Sequence, residues 1–301
     1  MLRELSHSCC SVSLLALACV VFPSRQTEAP ARAPAAAAQS AQPAQPIELA
    51  LKPYAGALCT VEVRIGELRA PFLFDSGGGC TAVSLATAKA TGCTPFGRGT
   101  GFRHDGGRVD GQRGTPLDLA LGAFSRGGEV GVLDLETLLG GLPPVAGIVS
   151  LETFAGQALT IDLRGCRLIV ESAKSLVERS RGSSELQARI ARQSAGAALD
   201  VFVAIEGKHG PLWFELDCGN LAPVLVAPHA YVELGLEPPA VGKTKEAVLV
   251  LRGLGPVACE IQTKELIYDG LLNAAFFERY LVTLDLAAGR AWAKANDTAH
   301  R

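Results

Sequence analysis

Pro71-Phe72-Leu73-Phe74-Asp75-Ser76-Gly77-Gly78-Gly79 is the stretch whose reading decides the fold of this chain. Apolar strand residues run directly into a carboxylate, a hydroxyl and three glycines. Delivering an acid into a turn that supplies little packing costs stability, and such local violations are expected at functional sites. The phrase returns as Pro211-Leu212-Trp213-Phe214-Glu215-Leu216-Asp217-Cys218-Gly219-Asn220. One instance reads as a turn aspartate capping backbone N–H groups. Two, in corresponding places of two half-chains, suggest a pair of acids.

Working outward, residues 147–170 align with 270–293 without a gap, at a constant offset of 123. Gly147 meets Gly270, Phe154 meets Phe277, Thr160 meets Thr283, Asp162 meets Asp285 and Arg167 meets Arg290. From Asp75 to Gly147 is 72 positions but from Asp217 to Gly270 only 53, so the second copy is 19 shorter. The missing part matches residues 96–114, a stretch rich in Gly, Arg and Asp that is too polar for a core. It reads as a mobile loop or flap, with His104-Asp105-Gly106-Gly107 at the hairpin tip. The expectation is a duplicated fold with one flap.

The remaining pattern is strand after strand. Alternating residues at 58–65 and 69–74 form a hairpin, and 200–206 with 211–216 form its counterpart. Short helices are expected after residue 82, near 151–154 and at 228–234. Residues 172–196 change character and read as a connector holding one amphipathic helix over 185–193. The expected plan is therefore lobe one at 47–171, the connector at 172–196, lobe two at 197–294 and a tail at 295–301.

The 301 residues suffice for two ordinary domains, and 48% hydrophobic content fills two cores. Gly 33 and Pro 17 favour a β-rich chain full of turns. Lys and Arg total 28 against 30 for Asp and Glu with no basic run, which argues against nucleic acid or an anionic membrane surface as main partner. Residues 1–26 read as an export signal, with Arg3 ahead of an apolar run at 12–22 that is too short to span a bilayer. Leu17-Ala18-Cys19 loosely resembles a lipoprotein processing site, and ordinary cleavage further on is the equal alternative. Residues 27–46, almost all Ala, Pro and Gln, read as a disordered tether. Beyond the signal stand Cys59, Cys80, Cys93, Cys166, Cys218 and Cys259, which permit disulfides or act as small buried hydrophobes. No CxxC spacing and no His at a metal-ligand interval occur, so no metal and no cofactor is expected.

Two carboxylates brought face to face across a pseudo-two-fold axis cannot both ionise cheaply, so they share a proton. One then serves as base toward a water, and the other donates to the carbonyl under attack. Asp-Ser-Gly after an apolar strand, followed by Gly-hydrophobic-hydrophobic before a short helix, resembles the aspartic proteases of the retropepsin and pepsin type. The closing Thr-Ile-Asp-Leu and Thr-Leu-Asp-Leu segments resemble the ends of bacterial retropepsin-like domains. The resemblance covers roughly 57–171 and 199–293. It implies a mainly β, bilobal, pepsin-like pseudo-dimer of two retropepsin-like acid protease domains. It further implies a monomer that hydrolyses peptide or protein substrates through Asp75 and Asp217. Ser76, Gly77, Cys218 and Gly219 would support the loops, and Phe102, Arg103, His104, Asp105 and Gly106 would meet substrate from the flap. The implied location is outside the cytoplasm, periplasmic or held at a bacterial membrane by a lipid on Cys19.

Departures from the pattern define the rival reading. The family places Ser or Thr after each catalytic Asp, and Cys218 is a weak donor and acceptor there. Asn220, Ser150 and Asn273 stand where glycine or alanine is usual. The rival is therefore an impaired relative that binds a peptide or a cell-envelope partner in the cleft. His104, His209 and His229 lack a GxSxG serine, which argues against a Ser-His hydrolase.

Overall fold

The computed structural model describes residues 42–296, so the expected export signal and most of the tether lie outside the described residues. The first half is built on a hairpin, Cys59–Ile65 with Leu68–Phe74, in the register Thr60 opposite Leu73. Alternate residues Val61, Val63, Phe72 and Phe74 point into the main core. Gly147–Val149 lies parallel to Leu68–Phe74, with Gly147 beside Phe72, and antiparallel to Ala82–Ser84. The second half repeats this with Ala198–Glu206, Pro211–Leu216, Gly270–Leu272 and Val224–Val226. Phe202 stands opposite Glu215, and Phe214 beside Gly270. The glycine of each Gly-hydrophobic-hydrophobic segment has a steric cause. A Cβ on Gly147 would come within 2.1 Å of the Phe72 ring, and one on Gly270 within 2.3 Å of the Phe214 ring.

The halves meet in an antiparallel sheet ordered Ser184–Leu186, Arg290–Ala295, Tyr280–Asp285, Ala158–Asp162, Arg167–Glu171 and Ile47–Pro53. At its centre Thr160 pairs with Thr283, and their buried hydroxyls are 2.9 Å apart. These two residues are equivalent at the offset of 123, so the pseudo-two-fold axis runs between them.

The flap is a hairpin of Pro95–Phe102 and Arg108–Leu121, continued by Phe124–Leu133. Its outer part forms strands without a core because Asp110 gathers Arg98, Thr100 and Arg108 on the exposed surface. In the second half Thr244–Leu251 with Gly255–Thr263 matches the Arg108–Leu121 and Phe124–Leu133 pair, and no strand among the described residues matches Pro95–Phe102.

The connector differs from expectation. The helix lies at Ala173–Ser180, started by a Ser172–Ser175 capping box, and 185–193 is not helical. Those residues form Ser184–Leu186, an outer strand against Arg290–Ala295, and Ala188–Gln193, which pairs with Ala198–Glu206. Open sheet edges, distant or just beyond the window in sequence, override a weak helical pattern here. All six cysteines, Cys59, Cys80, Cys93, Cys166, Cys218 and Cys259, are free thiols, so the disulfide option is not realised.

Candidate active site

Each acid reaches the centre on a strand end pinned from its own half. The Asp75 N–H donates to Val149 O at 3.0 Å, and the Asp217 N–H to Leu272 O at 3.0 Å. Within each loop the glycine two residues on donates to the carboxylate: Gly77 N to Asp75 Oδ1 at 3.0 Å and Gly219 N to Asp217 Oδ1 at 2.8 Å. The loops also cross. A Cβ on Gly77 would lie 2.5 Å from Asp217 Cγ, and one on Gly219 would lie 2.4 Å from Asp75 Oδ1. Neither glycine tolerates a side chain, because each is the floor under the opposite acid. The two buried carboxyl groups face each other closely enough that each perturbs the titration of the other.

Ser76 braces the crossing. Its hydroxyl, fully buried, donates to Leu216 O at 2.8 Å and accepts the Cys218 N–H at 2.9 Å. Cys218, expected among the loop supports but as a weaker partner than a hydroxyl, stands at the matching place in the second loop. Its sulfur accepts the Ser76 N–H at 3.4 Å and reaches Phe74 O at 3.9 Å, the reciprocal pair of contacts. Phe74 and Leu216 are equivalent at an offset of 142, as are Ser76 and Cys218. The larger sulfur radius spans the same gap with weaker bonds.

The residues found where glycine is usual also have work. Ser150 Oγ donates to Gly79 O at 2.9 Å and accepts the Glu152 N–H at 3.2 Å, tying the first loop to a helical turn. Asn273 Nδ2 donates to Ala222 O at 2.8 Å, and its Oδ1 caps Phe276 at 3.3 Å, which does the same for the second loop. Asn220 accepts the Ala222 N–H on its side-chain oxygen at 3.1 Å. Asp162 and Asp285 accept turn N–H groups in the central sheet, away from the acids.

The flap tip rests on the second half. The Ile267 N–H donates to His104 O at 2.9 Å, and Lys264 lies 3.5 Å from Asp105. Gly106 sits over the Ile267 side chain, Phe102 is exposed, and the Arg103 guanidinium donates to Leu138 O. Burial holds the His104 imidazole below its usual pKa.

Burial raises both central acids. For Asp75 the bond from Asp217 and the N–H groups of Gly77 and Gly78 oppose it. Asp217 is pushed well up, first by burial, then by the negative charges of Asp75 and Glu215. The pair as a whole therefore holds a proton more tightly than a free aspartate would. Three groups near it were not singled out from sequence: Asp200 and Glu215, each 4% exposed, and Tyr268, whose hydroxyl donates to Glu215 Oε2.

No family model matches the chain, and no curated protein matches it. Among solved structures, an aspartic proteinase from Irpex lacteus superposes with a TM-score of 0.52 at 12% identity, covering 84% of this chain and 99% of the other. The fold is pepsin-like. Basic 7S globulin from soybean shares it, with a TM-score of 0.53, 12% identity and coverage of 84% and 96%. So does conglutin gamma, a basic 7S globulin from lupine seeds, at 0.57, 9% identity and coverage of 84% and 95%. One neighbour is called a proteinase and two are called globulins, so the pepsin-like fold by itself carries no activity.

Proposed function

We propose that the protein is an aspartic endopeptidase in which Asp75 and Asp217 hydrolyse peptide bonds through a water held between them. The observation that supports this most is the crossing of the two loops, which seats each buried carboxyl on the other loop's glycine, 2.5 and 2.4 Å from where a Cβ would stand. Asp75 takes a proton from the water. Asp217, protonated, donates to the carbonyl oxygen, and the developing charge is met without a covalent intermediate. Ser76, Gly77, Cys218 and Gly219 hold the pair coplanar. The flap from Phe102 to Gly106 covers a bound peptide and excludes bulk water. With the N-terminal segment read as an export signal, its substrates are peptides or proteins outside the cytoplasm.

The weak sulfur contacts of Cys218 favour a second reading, a cleft that binds peptide without cutting it. Incubation of the full chain with a mixed peptide library from pH 3 to 8 separates the two. Cleavage that drops by about 10²-fold or more in both Asp75→Asn and Asp217→Asn is the expected result. Peptide binding without cleavage at any pH leaves only the second reading.

A further inference from the structure

The two hairpins that carry the acids differ at matched positions on one face. Leu58 and Leu73 of the first correspond to Asp200 and Glu215 of the second at the offset of 142, and Val145 corresponds to Tyr268 at 123. The register is the same in both: Thr60 faces Leu73 as Phe202 faces Glu215. In the first half Leu58, Leu73 and Val145 form a small apolar cluster of their own with Leu135 and Ile148. The second half buries two carboxyls in that space, with the half-buried Tyr268 phenol against them. Two buried acids where packing alone would serve cost stability unless another need keeps them.

Their surroundings show what they face. Glu215 precedes Asp217 by two residues on one strand and so shares its side of the sheet. The Tyr268 hydroxyl bonds Glu215, and Gln193 Nε2 donates to Asp200 Oδ2 at 2.9 Å. Asp200 also abuts the first loop: a Cβ on Gly79 would be 3.5 Å from Asp200 Oδ1, and the Leu199 N–H donates to Gly79 O at 3.0 Å. The half-exposed Cys80 thiol lies close enough to Asp200 to feel its charge. The adjoining strand carries two cations: Arg189 sits over the rings of Trp213 and Phe202 at 4.4 and 5.5 Å, and Arg192 donates to Gly196 O at 3.3 Å. Asp269, next to Tyr268, is occupied by the Trp213 N–H at 2.7 Å and by His229 at 2.9 Å. Among the described residues no group of His, Cys, Asp and Glu is arranged to hold a metal.

We propose that Asp200 and Glu215 are positioning residues whose charges couple to Asp75 and Asp217, so that the central pair keeps its last proton to a higher pH than two aspartates alone would allow. The inference rests on the peptidase reading for its consequence, which is cleavage extending toward neutral pH, but the charge coupling itself does not. Burial and the neighbouring acids push Asp200 up to about 6 and Glu215 up to about 8. Above those values each adds a negative charge facing the pair, and a nearby negative charge raises the proton affinity of its neighbour.

The test is a carboxyl-carbon NMR titration of the full chain, with Asp75→Asn and Asp217→Asn to assign the central signals, run beside the pH profile of kcat/KM. In Glu215→Gln, which keeps an acceptor for Tyr268 but loses the charge, the highest central titration should fall by roughly one pH unit. Asp200→Leu/Glu215→Leu, which copies the first half, should lower it at least as far, and the alkaline limb of the profile should follow. An unchanged central titration in Glu215→Gln overturns the proposal, because a merely structural Glu215 predicts that result. Should the double variant fail to fold, Glu215→Gln and Asp200→Asn still decide the question. If the coupled titration is present but the wild type cuts no peptide, the peptidase reading falls and the charge coupling stands.

Discussion

At the loop tips the first lobe offers a hydroxyl and the second a thiol, set in the same backbone frame. Ser76 makes two bonds of 2.8 and 2.9 Å, and Cys218 makes the two reciprocal contacts at 3.4 and 3.9 Å. Beside the tips the inequality is reversed: the first lobe is plainly apolar, and the second holds Asp200, Glu215 and Tyr268. The backbone thus keeps a two-fold plan while the chemistry is divided. The first lobe supplies the strong brace and the long flap, and the second supplies the extra acids.

Removing the brace attacks this comparison hardest. Ser76→Ala leaves the Cys218 N–H and Leu216 C=O unpaired in the interior, and should lower unfolding free energy by about 2–4 kcal/mol in a denaturant melt. Cys218→Ala should cost clearly less. Equal losses in the two variants would mean that the sulfur contacts are as strong as those of the hydroxyl.

Next in size is the pH dependence of stability. Asp200 and Glu215 have folded pKa values above their unfolded ones, at about 6 and about 8. Such groups favour the fold fully at pH below about 4, and that contribution is lost as pH rises through the folded values. Melting temperature should therefore decline from about pH 5 to 8, by an amount on the order of 2 kcal/mol or more in free energy. In Asp200→Asn/Glu215→Gln the decline should shrink; an unchanged slope would show that the second lobe's acids are not responsible. The smallest effect should come from Cys218→Ser, which gives the second tip the first tip's hydroxyl. A gain of about 1 kcal/mol is expected if the shorter oxygen contacts form. A loss would show that the loops are spaced for sulfur.

Much of the plan was legible because the repeated phrase and the 123-residue offset both report backbone demands. The Phe72 and Phe214 rings force the two glycines, and the pairing of Thr160 with Thr283 follows from the same alignment. The strands at 184–193 were not legible. Their partners are Arg290–Ala295 and Ala198–Glu206, and pairing of that kind leaves little mark in a local window. Asp200 and Glu215 escaped notice because a charged residue at an alternate strand position ordinarily faces water. Laying the halves over one another at the offset of 142 places them against Leu58 and Leu73, and that contrast was the available signal. That Cys218 is a weak partner was legible from its thiol, but its reach to Ser76 and Phe74 was not.

The threonines at the middle of the central sheet have a consequence for assembly. A residue that meets its own counterpart must be able to give and receive in the same contact, which a hydroxyl can do and a lone ammonium or carboxylate cannot. Thr160 and Thr283 satisfy that demand. Theirs is the type of contact by which identical subunits associate across a dyad. Here the peptide link through 172–196 frees that association from dilution.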